Sequence, residues 1–282
     1  MSAEWSRYWA RETSGACLPG APPAVQNILI EAWRALFAAE VAPVANRAAG
    51  VHLLDVASGG GSVLKIALQT RKDIVGIGID AADVGPSAAA LGVRGGIDAH
   101  ALPFASATFD IVTSQFGLEY CGPPAWAEAV RVLAPRGRLM LICHHRDSAA
   151  VRHNGRRLAA MRAMASAGLF EAAARVAAGQ AESPAMAGAI AAARQQHAGQ
   201  SVTMELPAAL GHWVRAGRAD AVAAIRVEAE AEMARLAAMQ SAALGEDEVA
   251  QRLAWLAPMA ATARVIAGPD GPLGWVVSGA RG

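Results

Sequence analysis

Cysteine is scarce in this 282-residue chain. There are three, Cys17, Cys121 and Cys143, too scattered to form a C-x-x-C pair. Free thiols in a reducing compartment are the expectation, not a disulfide framework. Long apolar runs are missing too. Mean hydropathy is positive, yet no uncharged apolar stretch reaches the roughly 18 residues a spanning helix needs, so no membrane partner is expected. The first twelve residues mix charge with Trp5, Tyr8 and Trp9 where a signal peptide would be apolar. That pattern reads as cytoplasmic. Charge of one sign is also lacking. The net is +1 from 25 basic and 24 acidic residues, and the only local basic run, Arg152 to Arg157, is short. Nucleic acid needs clustered Lys and Arg, so it is not an expected partner.

Apolar residues are plentiful, at 54%, although much of that is alanine, which favours helix more than it fills a core. Three regions separate by pattern. Residues 1–50 read as helical, with Trp5, Tyr8 and Trp9 on one face and an amphipathic run from Val25 to Ala49, broken by Leu18-Pro-Gly-Ala-Pro-Pro23. Residues 51–145 alternate strand and helix. Strands are expected at 51–56, 74–79, just before Asp98, at 109–116 and at 138–143, and helices at 62–69 and 124–133. Such alternation argues for a parallel sheet covered on both faces. Residues 147–261 are Ala-rich and helical, with Ser183 before Pro184 as an N-cap, Asp220 as the cap of a helix over 221–244, and Gly245 ending it. Strands at 262–267 and 273–278 then flank a hairpin-like turn, so the helical stretch reads as an insertion in one domain.

Leu53-Leu-Asp-Val-Ala-Ser-Gly-Gly-Gly61 is the strongest signal. A strand ends, the chain turns through small residues and a helix begins, so backbone can approach a ligand beside helix N–H groups. About 20 residues later a second strand ends in Asp80, where a carboxylate can accept hydrogen bonds from ribose hydroxyls. Nicotinamide dinucleotides and S-adenosylmethionine (SAM) are both held this way. A dinucleotide fingerprint starting at Gly59 would need a small residue at position 64, which is Leu64. That disfavours the dinucleotide.

Leu54 to Gly61 resembles motif I of class I SAM-dependent methyltransferases, in particular the branch similar to the ubiquinone/menaquinone-biosynthesis enzymes. Asp80 matches that family's ribose ligand. Gly96-Ile-Asp-Ala-His-Ala-Leu-Pro-Phe104 resembles its D-A-x-x-L-P-F segment, Thr108 to Gly117 its motif IV, and Arg131 to Leu139 its R-V-L-x-P-G-G-x-L turn. The resemblance implies a Rossmann-like α/β fold, seven strands with the last antiparallel, and SAM as cofactor. It implies cofactor contacts from Asp55, Ala57, Ser58, Gly59, Gly61, Asp80, Ala81, Asp98, Ala99, Ser114, Gln115 and Phe116. Ala57 and Arg136 replace family glycines, and the short stretch from Asp80 to Asp98, with Gly85-Pro86, suggests a truncated helix after strand two. Under this reading residues 1–50 are N-terminal lid helices, 51–146 with 262–282 the SAM-binding core, and 147–261 a helical substrate cap.

In such enzymes the cofactor carries the activation, and the protein aligns a nucleophile and, where needed, supplies a base. Candidate bases at the ends of strands four and five are Glu119, Tyr120, His144 and His145. With His153, the two histidines fit no metal-ligand spacing, so no metal is expected. Ser114-Gln-Phe-Gly117 lacks the Asn/Asp-Pro-Pro-aromatic tetrapeptide of enzymes acting on bases or glutamine, and Cys121 is not preceded by the proline of cytosine-C5 enzymes. Methyl transfer to O or N of a small molecule or peptide terminus is the leading reading. C-methylation of a quinone-type precursor, a SAM-binding protein without catalysis, and an NAD(P) oxidoreductase are the alternatives. Met161, Met164, Phe170, Trp213, Met233 and Met239 read as core of the helical region before they read as a pocket. Its Ala-rich helices also suit pairing in a homodimer.

Overall fold

The computed structural model describes residues 2–12, 18, 20–41 and 50–282. Cys17 and the end of the amphipathic run, 42–49, lie outside them. The chain forms two compact units, Met1–Val151 with Ser241–Gly282, and Arg152–Gln240.

The first unit is built on a seven-stranded sheet in the order β3-β2-β1-β4-β5-β7-β6. The strands are β1 (Val51–Val56), β2 (Ile74–Ile79), β3 (Val93–Arg94), β4 (Phe109–Gln115), β5 (Leu133–His144), β6 (Thr262–Gly268) and β7 (Gly271–Ala280). β1 to β5 pair in parallel, and β7 runs antiparallel to both β5 and β6. Period-two alternation divides the strand residues between two cores. Leu54, Val112, Leu139 and Leu141 face one side. Their neighbours Leu53, Ile111, Met140 and Ile142 face the other. The second face is covered by α2 (Pro23–Val41) and α3 (Ser62–Thr70). α2 presents Leu29, Trp33, Leu36 and Phe37, one stripe at helical spacing, all buried. The first face is covered by α5 (Pro123–Arg131) and α11 (Glu246–Trp255), which contribute Trp126, Ala129 and Val249.

Several local expectations needed correction. β5 begins at Leu133, not at 138, because the chain keeps pairing through an irregular register at Phe109/Ile111. Asp220 does not cap its helix: α10 (Ala219–Ala242) starts one residue earlier, and Asp220 pairs with Arg218 at 2.6 Å. Gly245 is the N-cap of α11, beyond the end of α10. Ser183 does cap α8 (Pro184–Gln196), accepting from Met186 N–H. The helix after β2, α4 (Pro86–Ala90), is five residues long, as its Gly-Pro start suggested.

The second unit packs α6 (Ala149–Ser166), α7 (Leu169–Ala177), α8, α9 (Val202–Arg215) and most of α10 around its own core. Met161, Met164 and Phe170 are buried in that core, with Trp213 and Met233 partly buried against it. Among the described residues, no helix is long and apolar enough to cross a membrane.

Candidate functional site

Strand order reverses between β1 and β4, and ligands of open α/β sheets bind at the carboxyl ends of strands flanking such a switch point. A cavity of about 380 Å³ opens there, walled by Ala57, Asp80, Asp98, Phe116, Gly117 and Tyr120 among others.

The turn after β1 sets its floor. Asp55 is buried, accepting from Ser58 Oγ at 2.5 Å and Thr113 Oγ1 at 2.7 Å. Burial pushes its carboxyl up to about 6, against the lowering by those two hydroxyls, while nearby Asp80 adds to the rise. Ala57 then takes a left-handed conformation, φ 54°, as Phe116 does after β4, φ 53°. Non-glycine residues held there store strain, and such positions cluster at ligand sites. Gly117 abuts the turn so closely that a Cβ on it would lie 2.5 Å from the Ala57 Cβ.

Asp80 closes β2. Its two oxygens accept from Gly59 N–H and Ala82 N–H, both at 2.8 Å. Burial raises its pKa, offset by those backbone donors. Each carboxylate oxygen keeps a further lone pair for a ligand donor. Asp98 is exposed at the far end, with its carboxyl lowered by the backbone N–H and ring of His100, whose Nδ1 lies 2.6 Å away.

The cavity brings together Ala57, Asp80, Ala81, Asp98, Ala99, Phe116 and Tyr120 of the expected site residues. Others stand behind its wall. Asp55, Ser58 and Gly61 shape the turn; the Gly61 carbonyl accepts from Lys65 N–H to open α3. Ser114 Oγ accepts from Leu118 N–H at 3.0 Å, and Gln115 Oε1 accepts from the Trp33 indole at 2.6 Å. Gly59 lies under Trp9, since a Cβ added to it would collide with that ring. Trp9 and Trp5 belong to α1 (Ser2–Arg11) and both line the cavity. α1 is tied down by Trp5 packing edge-on against Tyr120, centroids 5.4 Å apart, and by Ser6 Oγ accepting from Asp83 N–H at 3.0 Å. Gly96, Ile97 and Cys121 also line the cavity and were not expected. Of these, Gly96 and Ile97 carried a signal, at the start of the D-A-x-x-L-P-F-like segment.

The two adjacent histidines part company, as successive residues of extended chain do. His144 meets Glu119, Nδ1 to Oε1 at 2.8 Å, beside Phe116 and Tyr120. His145 stacks on Trp275, centroids 4.9 Å apart, and its Nδ1 accepts from Asp147 N–H. Burial lowers its pKa, against the fields of Asp147 and Glu246. Among the described residues, no three His, Cys, Asp or Glu side chains are grouped to hold a metal.

Residues 54–141 match the family described as "Methyltransferase domain". The chain is 39% identical over 107 residues to the ubiquinone/menaquinone biosynthesis C-methyltransferase UbiE of Paracoccus denitrificans, covering 33% of this chain and 42% of that protein. It is 53% identical over 47 residues to UbiE of Dinoroseobacter shibae, covering 16% and 19%. The matches thus span less than half the length of either relative. The crystal structure of YcgJ from Bacillus subtilis aligns over 89% of this chain and 98% of its own, at 15% identity and a TM-score of 0.36. The fold assignment rests on the strand order itself. With that order, the glycine turn after β1 and the matched motifs, residues 54–141 form a methyltransferase domain that resembles the ubiquinone/menaquinone-biosynthesis C-methyltransferases.

Proposed function

We propose that the whole chain transfers a methyl group from SAM to an O or N atom of a small molecule or peptide terminus. Asp80 carries the reading. It is a buried carboxylate at a strand end, held by two backbone donors and facing a cavity at the switch point. The cavity suits the cofactor in kind: its volume lies within the usual range for small-molecule sites, about 300–1,000 Å³, and its floor admits close backbone approach at Gly117. In this reading Asp80 accepts the ribose hydroxyls and Asp98 lies at the adenine end. The turn from Ala57 to Gly61 supports the nucleoside. Trp5 and Trp9 offer aromatic faces to its cationic sulfur. When bound, SAM supplies a methyl carbon made electrophilic by the sulfonium. The protein's own contribution is alignment and exclusion of water.

A second reading, C-methylation of a quinone-type precursor, is favoured by identity to two proteins named as C-methyltransferases. The insertion between β5 and β6 weighs against it. Calorimetry with SAM, its demethylated product S-adenosylhomocysteine (SAH), and NAD separates donor classes: micromolar binding of the first two and none of NAD is expected. Asp80→Ala should weaken SAH by about 2–3 kcal/mol, or 30- to 150-fold. A loss under twofold, or NAD binding in place of SAH, would overturn the donor assignment.

A further inference from the structure

Glu119 and His144 form a buried pair that the donor site leaves unused. Glu119 sits on the short turn Leu118–Tyr120 after β4 and His144 ends β5. Their side chains are 1% and 7% exposed. Oε1 of Glu119 lies 2.8 Å from His144 Nδ1 and also accepts the His144 backbone N–H at 2.9 Å. Oε2 is buried with no hydrogen-bond partner. An unpaired buried carboxylate oxygen is costly, and a buried exception of this kind asks for a functional reason.

Geometry supplies one. A carboxylate against Nδ1 makes that nitrogen the protonated one and turns Nε2 into an acceptor. The same carboxylate stabilises the imidazolium formed once Nε2 gains a proton, as the acid of a catalytic triad does. Phe116 lies across the ring, centroids 4.2 Å apart, and Tyr120 meets it edge-on at 5.8 Å. Both rings line the cavity, so the imidazole stands against the cavity wall. Other titratable groups face the pair as well. Cys143 lies behind Glu119, and burial holds its thiol protonated. Cys121 is pushed up to about 12 by burial and by Glu119, Asp98 and Asp80. Arg252 of α11 shares the field of Glu119 and Cys143, and burial lowers it.

We propose that His144 is the general base for methyl transfer to a phenolic hydroxyl, with Glu119 as its positioning residue. This rests on the donor-site reading above. His144 Nε2 takes the hydroxyl proton, and the freed oxygen pair forms the new O–C bond while the C–S pair stays on sulfur. Neutral imidazole and sulfonium thus become imidazolium and neutral thioether, and charge balances. A neutral imidazole within hydrogen-bond reach can relieve a phenol of its proton in the transition state. An aliphatic alcohol holds its proton too tightly for that, and aromatic walls suit an aromatic acceptor.

The test uses the full chain at pH 8, labelled SAM and para-substituted phenols from 4-nitrophenol, largely ionised at that pH, to 4-methylphenol, which is not. Wild type should methylate oxygen across the series. In Glu119→Gln and His144→Ala, kcat on 4-methylphenol relative to 4-nitrophenol should fall by about 100-fold, with partial recovery in Glu119→Asp. A uniform loss across the series would reduce the pair to a structural role. Should His144→Ala not fold, the same ratio in Glu119→Gln decides. Nitrogen-15 NMR of His144 at pH 8 should show Nδ1 protonated and Nε2 bare, and the opposite tautomer would remove Glu119 from its role. Ring-methylated products, or no methylated phenol with wild type, would overturn the hydroxyl acceptor. SAH calorimetry on the same sample reports separately whether the donor reading stands.

Discussion

Asp55 shows how one residue can build a site without facing it. Its carboxylate fastens Ser58 and Thr113 across the base of the turn, buried, with burial holding its pKa up near 6. An unfolded aspartate titrates near 3.9. A raised acid pKa means the folded state binds the proton more tightly, so stability is greatest below about pH 4 and declines as pH rises through 6. At about 1.4 kcal/mol per pH unit the decline amounts to about 3 kcal/mol by neutral pH. Asp55→Asn removes that titration. Urea unfolding at pH 4 and pH 7.5 should therefore show the variant gaining on wild type by up to that amount. Parallel pH profiles for the two proteins would mean the carboxylate is charged without penalty. Arg136 is a second instructive residue. Its φ of 63° shows why the related motif has glycine there, and an exposed arginine bears the strain instead.

At the scale of elements, α1 and the glycine turn depend on one another. Trp9 lies on Gly59, whose φ of 50° is itself left-handed. Gly59→Ala adds backbone strain of about 1–2 kcal/mol and a clash that only movement of α1 can relieve. The expected signature is a double-mutant cycle. Gly59→Ala should cost at least about 1 kcal/mol more stability in wild type than in a Trp9→Ala background. It should also shift tryptophan emission toward that of solvated indole. Equal costs in both backgrounds would show that α1 leaves the turn in solution. The helical stripe Trp5, Tyr8 and Trp9 was readable from the sequence, but the surface it meets was not. Nothing local in twelve residues states that an indole packs over a turn fifty positions away.

For the whole molecule, two units with separate cores and a cavity, proposed for the donor, walled by the first make ligand linkage a unit-specific measurement. SAH at a hundred times its Kd should add about 2.7 kcal/mol to the stability of the state that binds it. Hydrogen exchange should show the added protection in β1, β2, β4 and the turns after them. Equal gains throughout Arg152–Gln240 would mean that the two units open as one. The strand positions, the covering of the sheet on both faces and the glycine turn could be read in advance because periodicity and turn chemistry are local properties. Helix ends were less secure: Asp220 lies inside α10, and Gly245 caps the start of α11 instead of ending α10. By itself, the sequence determined the class of fold and the acidic strand end at Asp80, since each follows from a few adjacent residues; the strand expected before Asp98 stops at Arg94. Tertiary structure alone decided that His144 meets Glu119 while His145 meets Trp275. Contacts between strand ends distant in the chain arise only when the sheet's register brings them side by side.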